Sequence, residues 1–516
     1  MPVGGMGSAG RWVRAVSGNL LTFAPRKNNP QITIMKDTYE VKLKEWNEKE
    51  MAAVEISTIA TRLWFDKSVE LIIFRRQLVD ARASEILNHH LYAQRFLNRP
   101  LTVEVTQLLV KALSQLDLAP ARIDMGRLGV EWLNEGAQFA SADAFVAAKL
   151  ADFIGKEKLV LKPKDVVLYG FGRIGRIAAR VIINEAGKGE QLRLRAIVTR
   201  SNSDEDILKR ASLLRRDSIH GKFAGTIVED LENKALIING HTVYMIAADK
   251  PESIDYTTYG IDNALIIDNT GIARDREKLS KHLEAKGVSQ VLLTAPGKGD
   301  IPNIVHGINH EKFDPATEKI FSAASCTTNA VVPILHVMDK NFGIHHGHLE
   351  TVHSYTNDQN LLDNYHKKSR RGRSAPINMV ITETGAASAA AKVLPELAGK
   401  FTGNAIRVPT PDVSLAIINL TLNKDVTIDE VNAVLREAAS FGQLVEQIDY
   451  SISNEIVSSD CIGNSHAVIV DSPATIVSPD KKSVVLYCWY DNEFGYTKQV
   501  IRLSRYLAGV IRLRYY

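Results

Sequence analysis

The sequence predicts an α/β domain with a parallel sheet, then an α+β domain with a mostly antiparallel sheet, both preceded by an all-α module. From Lys164 onward, short apolar runs such as DVVLYG, LRAIV and ALIIDNT alternate with helical stretches such as REKLSKHLEAKG, which is typical of a parallel sheet covered by helices. After Asn341 the apolar runs are longer and alternate with polar residues, as in VSLAIINLTL, which favours antiparallel strands. Before Leu159 the apolar spacing is helical.

Length and composition limit the kinds of protein that this chain can be. With 516 residues we expect roughly two to four domains, and 45% hydrophobic with 24% charged residues is typical of globular proteins. The formal net charge of +4 indicates no nucleic-acid partner, and no apolar run reaches the roughly 18 residues of a membrane span. Three cysteines cannot form a disulfide framework, so we expect a reducing compartment, the cytoplasm.

Residues 1–35 are expected to precede the folded part of the chain. They carry Gly, Ser and Arg, and no acidic residue occurs before Asp37. This composition fits a disordered tail, a transit-type leader, or an upstream start with Met35 as a second initiator. We therefore expect a disordered tail or leader here.

Residues 36–158 are expected to form the helical module. Leu71, Phe74 and Leu78 would share one helix face, and Thr102 can cap a helix that runs through VEVTQLLVKALSQL. The region shows no metal-ligand spacing and no catalytic constellation. Its partner and purpose therefore stay open.

A glycine-rich turn lies between a predicted strand and a predicted helix, in the order Gly170-Phe171-Gly172-Arg173-Ile174-Gly175. In Rossmann-type dinucleotide-binding domains the first glycine makes the turn, the second lets the backbone approach a pyrophosphate, and the third lets the helix pack on the strand. The helix N-terminus then faces the phosphates. A turn that serves packing alone is the alternative. We assign residues 159–325 to a dinucleotide-binding domain, completed by a C-terminal helix over 497–516.

The end of the next strand bears on the choice of cofactor. Many such domains have a carboxylate there for the adenosine ribose, whereas the strand LRAIV ends at Thr199-Arg200-Ser201. An arginine between two hydroxyl groups can hold a 2′-phosphate, which a carboxylate would repel. We therefore expect NADP, or the use of both NAD and NADP. The alternative is that Arg200 is a solvated loop residue and that NAD binds without a ribose clamp.

Cys326 lies among small polar residues, in AASCTTNA, directly before an apolar run. Because the thiolate is the nucleophile, a reactive cysteine needs a device that lowers its pKa. Ser325 can cap a helix that begins at Cys326 and places the sulfur at the positive end of the helix dipole, although Pro333 would kink or limit that helix. His353, in TVHSYT, is the best candidate for the base. A lone histidine on a strand is more often a hydrogen-bonded core residue, but the combination of a cysteine with a dinucleotide-binding turn favours the base.

Longer motifs occur together from about Asp165 to the C-terminus. They are YGFGRIGR, RDSIHGKF, DNTGIARDREKLSKHL, AASCTTNA, TVHSYT, TGAASAAAKVLPEL, FTGNAIRVPTPDVS and WYDNEFGY. In this order they resemble the phosphorylating glyceraldehyde-3-phosphate dehydrogenases. With its N-terminal helical extension, the chain resembles a longer subgroup of that family.

The resemblance implies a reaction and the residues for it. Cys326 would attack the aldehyde carbon of glyceraldehyde 3-phosphate with help from His353, hydride would pass to NAD or NADP, and inorganic phosphate would release 1,3-bisphosphoglycerate from an acyl-thioester. Beyond the glycine turn, the residues expected at the cofactor are Thr199, Arg200, Thr270, Gly271, Thr294 and Asn492. Those expected at the two phosphate groups are Ser325, Thr327, Thr356, Arg371, Thr384, Gly385 and Arg407. No metal is expected.

The resemblance also implies a catalytic domain over 326–496, a homotetramer, and a place in glycolysis or gluconeogenesis. The chain departs from the family at Thr199-Arg200, where Asn-Asp is usual, and at Ala330, where a second cysteine is common. One alternative is a dehydrogenase of another sugar phosphate aldehyde, such as erythrose 4-phosphate, which dependence on phosphate would distinguish. Another alternative is a non-catalytic scaffold or a nucleic-acid-binding protein with the same fold. The low net charge argues against nucleic-acid binding, and the presence of both Cys326 and His353 argues against an inactive protein.

Overall fold

A computed structural model describes residues 30–74, 76–97 and 101–516, with residues 30–37 and 95–97 described by their backbone alone. Most of the predicted leader, residues 1–29, lies outside the described residues, and residues 30–35 belong to the first helix. Three larger sheets organise the described residues: one of four strands and two of eight. No helix among these residues is long and apolar enough to cross a membrane.

The N-terminal module is mostly helical, but the prediction that it is all-α is wrong. Its strands form a small sheet in the order β2-β1-β3, and the C-terminal end of the chain adds a fourth strand next to β3. The helices and strands of the module are α1 (Pro30–Lys67), β1 (Glu70–Ile73), β2 (Arg76–Gln77), α2 (Ala83–Leu97), α3 (Val103–Ser114), β3 (Ala121–Asp124), α4 (Met125–Glu135) and α5 (Ala142–Lys149).

Leu71, Phe74 and Leu78 were predicted to share one helix face. They are buried, but they lie on and beside two strands. All four residues of β1 are buried, because β1 pairs in parallel with β3 inside the core of the module. A short strand that is buried on both faces has no period of two, so apolar spacing cannot distinguish it from a helix. The helix signal at Thr102 is confirmed, since its side chain accepts a hydrogen bond from the Val105 N–H at 3.4 Å.

The dinucleotide-binding domain has an eight-stranded sheet in the order β13-β12-β11-β4-β5-β10-β9-β8. The strands from β13 to β10 are parallel, and β9 and β8 extend the sheet antiparallel. Its elements are β4 (Lys164–Tyr169), α6 (Arg173–Asn184), β5 (Leu192–Thr199), α7 (Asp204–Arg215), β6 (Arg216–Asp217), β7 (Gly221–Lys222), β8 (Ile227–Asp230), β9 (Ala235–Ile238), β10 (His241–Ala247), β11 (Ala264–Asp268), α8 (Arg276–Ser280), β12 (Val288–Leu293) and β13 (Ile320–Ser322).

The second eight-stranded sheet is mixed and mostly antiparallel, as predicted; only the pairs β14–β16 and β18–β19 are parallel. Helix α9 packs on this sheet, so its first turn lies between the two large sheets. The elements are α9 (Cys326–Phe342), β14 (Ile344–Ser354), β15 (Val380–Thr382), α10 (Ala386–Val393), β16 (Phe401–Val408), β17 (Ser414–Leu422), α11 (Ile428–Ser440), β18 (Ile448–Ser451), β19 (Val468–Asp471), β20 (Ile476–Val477) and β21 (Ser483–Tyr490).

Two sequence predictions about helix ends need correction. The last helix is α12 (Phe494–Leu507), which packs against α6, and the chain then forms β22 (Leu513–Tyr515) rather than continuing as a helix to residue 516. Strand β22 pairs in parallel with β3 of the N-terminal module. Helix α9 runs from Cys326 to Phe342 with Pro333 inside it, so the proline does not limit the helix to a first segment.

Candidate active site

Three connected cavities follow the carboxyl ends of the parallel strands. The first, of about 510 Å³, lies over the ends of β4, β5 and β11, and the second, of about 710 Å³, extends from it to Cys326. Gly172 lines both. A third cavity of about 390 Å³ shares Cys326 and His353 with the second. The thiol therefore lies where a long cleft meets a smaller one.

The glycines of the turn occupy positions that fit a dinucleotide. Gly170 has φ +92°, a backbone conformation that favours glycine. A Cβ at Gly172 would meet no atom within 4 Å, whereas a Cβ at Gly175 would lie 2.5 Å from the carbonyl oxygen of Gly170. The space at Gly172 suits a pyrophosphate, and the contact at Gly175 allows α6 to pack against the turn.

The other residues of the turn differ in what they offer to a ligand. Phe171 is buried in the domain core at the edge of the first cavity, and Ile174 lines the second. The guanidinium group of Arg173 bonds to Asp217 at 3.1 Å and also to Glu493. The side chain of Arg173 therefore ties the two domains together, and its backbone at the start of α6 is what faces the cleft.

Arg200 is exposed at the end of β5 and lines the first cavity together with buried Thr199 and with Arg210. The Thr199 hydroxyl donates to the Ser201 carbonyl oxygen at 2.7 Å, so the hydroxyl is engaged within the turn. Two guanidinium groups thus line this cavity and no carboxylate lies at the end of β5, although Asp249 and Asp268 also line the cavity. Lys278 and Lys281 line the same cavity.

Cys326 is the first residue of α9, and Ser325 caps this helix by accepting the Thr328 N–H at 3.0 Å. Just before the cap, Ala324 has φ +56°, a left-handed conformation that costs of order 1–3 kcal/mol for a residue with a Cβ. The Ala324 carbonyl oxygen accepts the Tyr496 hydroxyl at 3.0 Å, which helps to hold this turn. The strained turn places the sulfur at the positive end of the helix, facing the cavity.

His353 lies near the end of β14 and faces the thiol. The Cys326 sulfur is 3.6 Å from His353 Nε2, and His353 Nδ1 is 2.7 Å from the Ser354 carbonyl oxygen. Nδ1 also lies 2.9 Å from Nη1 of Arg407, which only donates, so the two contacts of Nδ1 make opposite demands. We assign the ring proton to Nδ1, toward the shorter contact with the carbonyl oxygen, and Nε2 is then an acceptor toward the thiol. The structure thus brings together the two residues that the sequence selected, which are separated by 27 positions.

The ionisation of this pair differs from the sequence expectation. Burial raises the pKa of the Cys326 thiol, and Arg407 and the start of the helix only oppose this rise. Burial, and then Arg407, lower the pKa of His353 to about 3. His353 is therefore neutral at physiological pH, and the resting pair is a thiol beside a neutral imidazole rather than a thiolate beside an imidazolium.

The residues predicted to bind phosphate groups divide between the two cavities beside Cys326. Ser325 and Arg407 line both, Thr356 lines the larger, and Thr327, Arg371, Thr384 and Gly385 line the smaller. Arg371 is paired with Asp358, which also accepts the Thr356 hydroxyl. Thr327 is hydrogen-bonded to the Tyr490 hydroxyl at 3.0 Å, so it is less available than the others.

The remaining predicted cofactor residues lie along the cleft. Thr270 lines the first cavity, Gly271 follows it with φ +64°, and Thr294 lines the second cavity. Asn492 is held by the hydroxyls of Ser354 and Ser414, which donate to its Oδ1 at 2.8 and 2.7 Å. Because its oxygen is engaged, the amide nitrogen of Asn492 is the atom left for a ligand in the second cavity.

Several side chains at the site were missed by the sequence analysis. Arg274 lines both cavities beside Cys326, and Lys392 lines the smaller one. Arg274 lies within a quoted motif, and its charge next to a glycine turn was the available signal. Lys392 lies on α10, and only the fold reveals that this helix borders the thiol.

A buried acidic group lies beneath the second cavity and was also missed. Asp412 Oδ2 is 3.6 Å from His220 Nε2, and neither oxygen of Asp412 has a hydrogen-bond partner in the described structure. Burial, with Asp491 and Glu493 nearby, raises the pKa of Asp412 to about 8. His220, Asp412 and Asp491 place ligand-type atoms within 4.8 Å of one another, but Asp491 already accepts three backbone N–H groups. The absence of a metal therefore stays a prediction.

Comparison with known proteins shows which family this chain resembles. The chain matches the NAD binding domain of glyceraldehyde 3-phosphate dehydrogenase over residues 164–276 and the C-terminal domain of that enzyme over residues 325–492. A glyceraldehyde-3-phosphate dehydrogenase-like protein of Pseudomonas aeruginosa (strain UCBPP-PA14) is 52% identical over 452 residues, 87% of this chain and 97% of the relative. A match of that length extends into the N-terminal module.

Two further relatives match about two thirds of the chain. Glyceraldehyde-3-phosphate dehydrogenase of Zymomonas mobilis subsp. mobilis (strain ATCC 31821 / ZM4 / CP4) is 40% identical over 347 residues, 67% of this chain and 99% of the relative. Glyceraldehyde-3-phosphate dehydrogenase 1 of Bacillus subtilis (strain 168) is 40% identical over 343 residues, 66% of this chain and 98% of the relative.

Fold and cleft together define an oxidoreductase that binds a nicotinamide dinucleotide. Within that class, the chain belongs to the glyceraldehyde-3-phosphate dehydrogenase family, and it carries an N-terminal extension beyond the two domains of that family. The family predicted from the motifs is therefore confirmed.

Proposed function

We propose that the protein oxidises glyceraldehyde 3-phosphate to 1,3-bisphosphoglycerate, with reduction of NAD or NADP and uptake of inorganic phosphate. The observation that carries the proposal is the 3.6 Å contact between the Cys326 sulfur and His353 Nε2, at the junction of the cofactor cleft and a cavity lined by cationic and hydroxyl groups. Covalent catalysis at a thiol divides an oxidation and a phosphorylation into two easier steps.

In the first step the Cys326 sulfur bonds to the aldehyde carbon as the carbonyl π-bond breaks, and its proton passes to His353 Nε2 and from there to the new oxyanion, giving a thiohemiacetal and a neutral His353. The neutral state of His353 suits this role, because a base must hold no proton before the transfer. Negative charge develops on the former carbonyl oxygen. The Cys326 N–H, which is among the first of α9 and has no partner within the helix, is a natural donor to that oxygen.

The nicotinamide supplies the acceptor for the hydride when a cofactor is bound. Residues of the glycine turn, Thr270 and Gly271 would hold its adenosine and pyrophosphate parts, and Thr294 and Asn492 would hold the nicotinamide end. Loss of hydride from the thiohemiacetal carbon leaves a thioester on Cys326. Neutral His353 can accept the hydroxyl proton as the carbonyl forms again.

Phosphate then attacks the thioester carbon, and the Cys326–carbon bond breaks with the sulfur leaving as a thiolate. The incoming phosphate and the substrate phosphate both need cationic and N–H donors. Arg407 lies beside both cavities, and Arg371, Thr384 and the backbone at Gly385 line the smaller one. Guanidinium forks suit phosphate oxygens because they donate two parallel hydrogen bonds.

We also propose that the protein accepts NADP. Arg200 and Arg210 beside the first cavity support this, since a 2′-phosphate would meet two guanidinium groups where a ribose-binding carboxylate is usual. NAD, which lacks that phosphate, loses little at this position, so use of both cofactors is the expected outcome.

A homotetramer is the expected assembly. The loop between β14 and β15 exposes five apolar side chains. Each is more than two-thirds exposed: Leu361, Leu362, Tyr365, Ile377 and Met379. Apolar side chains gathered on one loop favour a covering partner, and a second copy of the chain would supply one. Light scattering coupled to size-exclusion chromatography would measure the mass.

Steady-state kinetics with NAD and with NADP, each with and without phosphate, test the proposal. Cys326→Ser should lower kcat by at least about a thousandfold, while Cys461→Ser, at a buried cysteine outside the cavities, should keep activity. Substantial activity in Cys326→Ser would refute the thiol mechanism. Phosphate-independent turnover with a preference for erythrose 4-phosphate would instead show the hydrolytic sister reaction.

A further inference from the structure

We infer that the protein has a second ligand site, for a small inorganic anion of the size of chloride. It is a cavity of about 30 Å³ where the N-terminal module meets both other domains. Strands β1 and β3 and helix α12 each contribute to its lining, and neither Cys326 nor His353 lines it. Its lining residues are Glu70, Arg122, Glu185, Glu446, Ser465, His466, Lys498, Arg502 and Arg505.

The charged groups at this cavity do not balance. Three carboxylates, those of Glu70, Glu185 and Glu446, line the cavity with four Lys or Arg side chains, and Arg512, which pairs with Glu70 outside the lining, is a fifth cation. The ion pairs that join them are Arg122 with Glu70 and Glu446, Lys498 and Arg505 with Glu185, Arg502 with Glu446, and Arg512 with Glu70. The side chains are at most 20% exposed. Two positive charges are thus in excess in a largely buried group.

The other charged groups nearby do not remove the excess. Arg514, which is 3.7 Å from Glu446, adds a further cation at the rim. Asp124 lies beside Arg122, and its carboxylate, which also accepts the N–H groups of Phe74 and Gly126 at 2.9 and 2.8 Å, offsets the charge that Arg514 adds. His466 is paired with Asp449, and the backbone oxygen of Tyr516 accepts from Arg127.

Among the described residues, four buried donors at the cavity make no hydrogen bond. Nε of Arg122 and Nη2 of Arg502 lie within ion-pair distance of a carboxylate, Nη2 of Arg502 next to Glu446 Oε2, which also makes no hydrogen bond, and the other two donors have no acceptor at all. Nε of Arg502 and Nε of Arg505 make no hydrogen bond in the described structure, and the Arg502 side chain is only 6% exposed. A buried donor without an acceptor costs about 1–3 kcal/mol, and more when it is charged. An anion in the cavity would satisfy both the donors and the excess charge, whereas a water molecule would satisfy only the donors.

The electrostatic setting agrees with this geometry. Burial and the neighbouring guanidinium groups, with Arg514 first among them, hold the pKa of Arg502 well below its usual range. Arginine stays charged in proteins, so the lowered pKa means that the charged form of Arg502 is destabilised where it lies. A neighbouring negative charge would relieve this destabilisation. A cavity of about 30 Å³ has room for roughly one water-sized species, which fits a monatomic anion and not a phosphate.

The test measures thermal unfolding of the full-length protein as NaCl replaces sodium gluconate at constant ionic strength. An anion that binds only the folded state stabilises it, so we expect Tm to rise by about 2–4 °C, in proportion to the logarithm of chloride concentration once that concentration exceeds the dissociation constant. Arg502→Gln should abolish this rise. Arg373→Gln, whose partner Asp363 is 2.9 Å away on the surface, should keep it. A wild-type Tm that does not respond to chloride would overturn the inference.

A second measurement covers the case in which Arg502→Gln does not fold. Crystals of the wild-type protein grown in bromide should give an anomalous peak within hydrogen-bond distance of the guanidinium groups of Arg502 and Arg505. A cavity that holds only water, or no peak in 100 mM bromide, would contradict the site. Both readouts are independent of catalysis, so they stand apart from the proposed function.

Discussion

Arg407 Nη1 lies 2.9 Å from His353 Nδ1 and the same distance from the Ser354 carbonyl oxygen. The imidazole N–H and the guanidinium N–H therefore share one acceptor, which fixes the ring with Nε2 toward Cys326. The positive charge of Arg407 opposes protonation of the ring and, at the same time, favours the thiolate of Cys326. One side chain thus keeps the base neutral and moderates the cost of burying the nucleophile.

The first prediction concerns Arg407→Gln. Removal of the guanidinium should raise the pKa of Cys326 further, because Arg407 is the largest of the influences that lower it. The rate of alkylation by iodoacetamide, measured against pH, should therefore show a midpoint at higher pH than in the wild type. Arg373→Gln provides the matched control. A midpoint that moves to lower pH would show that the assignment of Arg407 is wrong.

The second prediction concerns His353→Asn. With the base removed, kcat/KM for glyceraldehyde 3-phosphate should fall by about 10²–10⁴, the usual contribution of general acid–base catalysis. His353 is neutral down to a pH near its pKa of about 3. Protonation of this ring should therefore cause no decrease in wild-type kcat/KM between pH 8 and pH 5. His345→Asn, at an exposed position on the same strand, serves as the control. If wild-type kcat/KM falls below about pH 6.5 and this fall is absent in His353→Asn, the lowered pKa of His353 would be contradicted.

The family, the two sheets and the thiol–imidazole pair could be predicted because each leaves a local pattern: a glycine turn between strand and helix, a run of strands, a cysteine among small polar residues. The ionisation of Cys326 could not. The start of a helix is visible in the sequence, but the burial that outweighs it depends on Tyr490, Thr351 and other residues brought in from distant strands. Desolvation is a property of the packed structure, so no spacing along the chain reports it.

The third prediction uses the buried carboxyl of Asp412. Its pKa of about 8 lies above the ordinary value near 3.9, so the native state binds a proton that the unfolded state has lost, and stability falls as pH rises between about 4 and 8. Asp412→Asn removes this penalty, and we expect a higher Tm than wild type at pH 8 with a smaller difference at pH 5. Thermal scans at both values measure it, with exposed Glu205→Gln as control. A variant that is less stable at pH 8 would refute the argument.

The fourth prediction concerns the N-terminal module. The sequence suggested a separable unit without chemistry, yet β22 pairs with β3, and Glu70 of the module pairs with Arg122 and Arg512. A chain that starts at Lys162 would lose the partner of β22 and leave Arg512 without its carboxylate. We expect it to unfold at a temperature lower by several degrees while kcat per folded molecule stays close to wild type. A truncated protein as stable as the full chain would show that these contacts contribute nothing.

The module also shows why its own fold was hard to predict. Strands β1 and β3 are four residues each, and β22 comes from the opposite end of the chain. The pairing of Leu513–Tyr515 with Ala121–Ile123 spans almost 400 positions, so no local window contains both partners. The hydrogen bond from the Tyr92 hydroxyl to the Tyr450 carbonyl oxygen, at 3.0 Å, joins residues that are 358 positions apart.

The last prediction concerns Arg200, the residue at which a carboxylate is usual. If Arg200 and Arg210 receive a 2′-phosphate, then Arg200→Asp should lower kcat/KM for NADP by at least about a hundredfold, because a carboxylate would repel the phosphate where a guanidinium attracted it. The value for NAD should fall by less than about threefold, or rise, since a carboxylate can accept hydrogen bonds from the free ribose hydroxyls. Arg216→Asp, at an exposed position beyond α7, is the matched charge-change control and should leave the ratio of the two cofactors unchanged. Two results would show that Arg200 does not bind the 2′-phosphate. One is a wild-type kcat/KM that favours NAD by more than about a thousandfold, and the other is an equal loss of kcat/KM with both cofactors in Arg200→Asp.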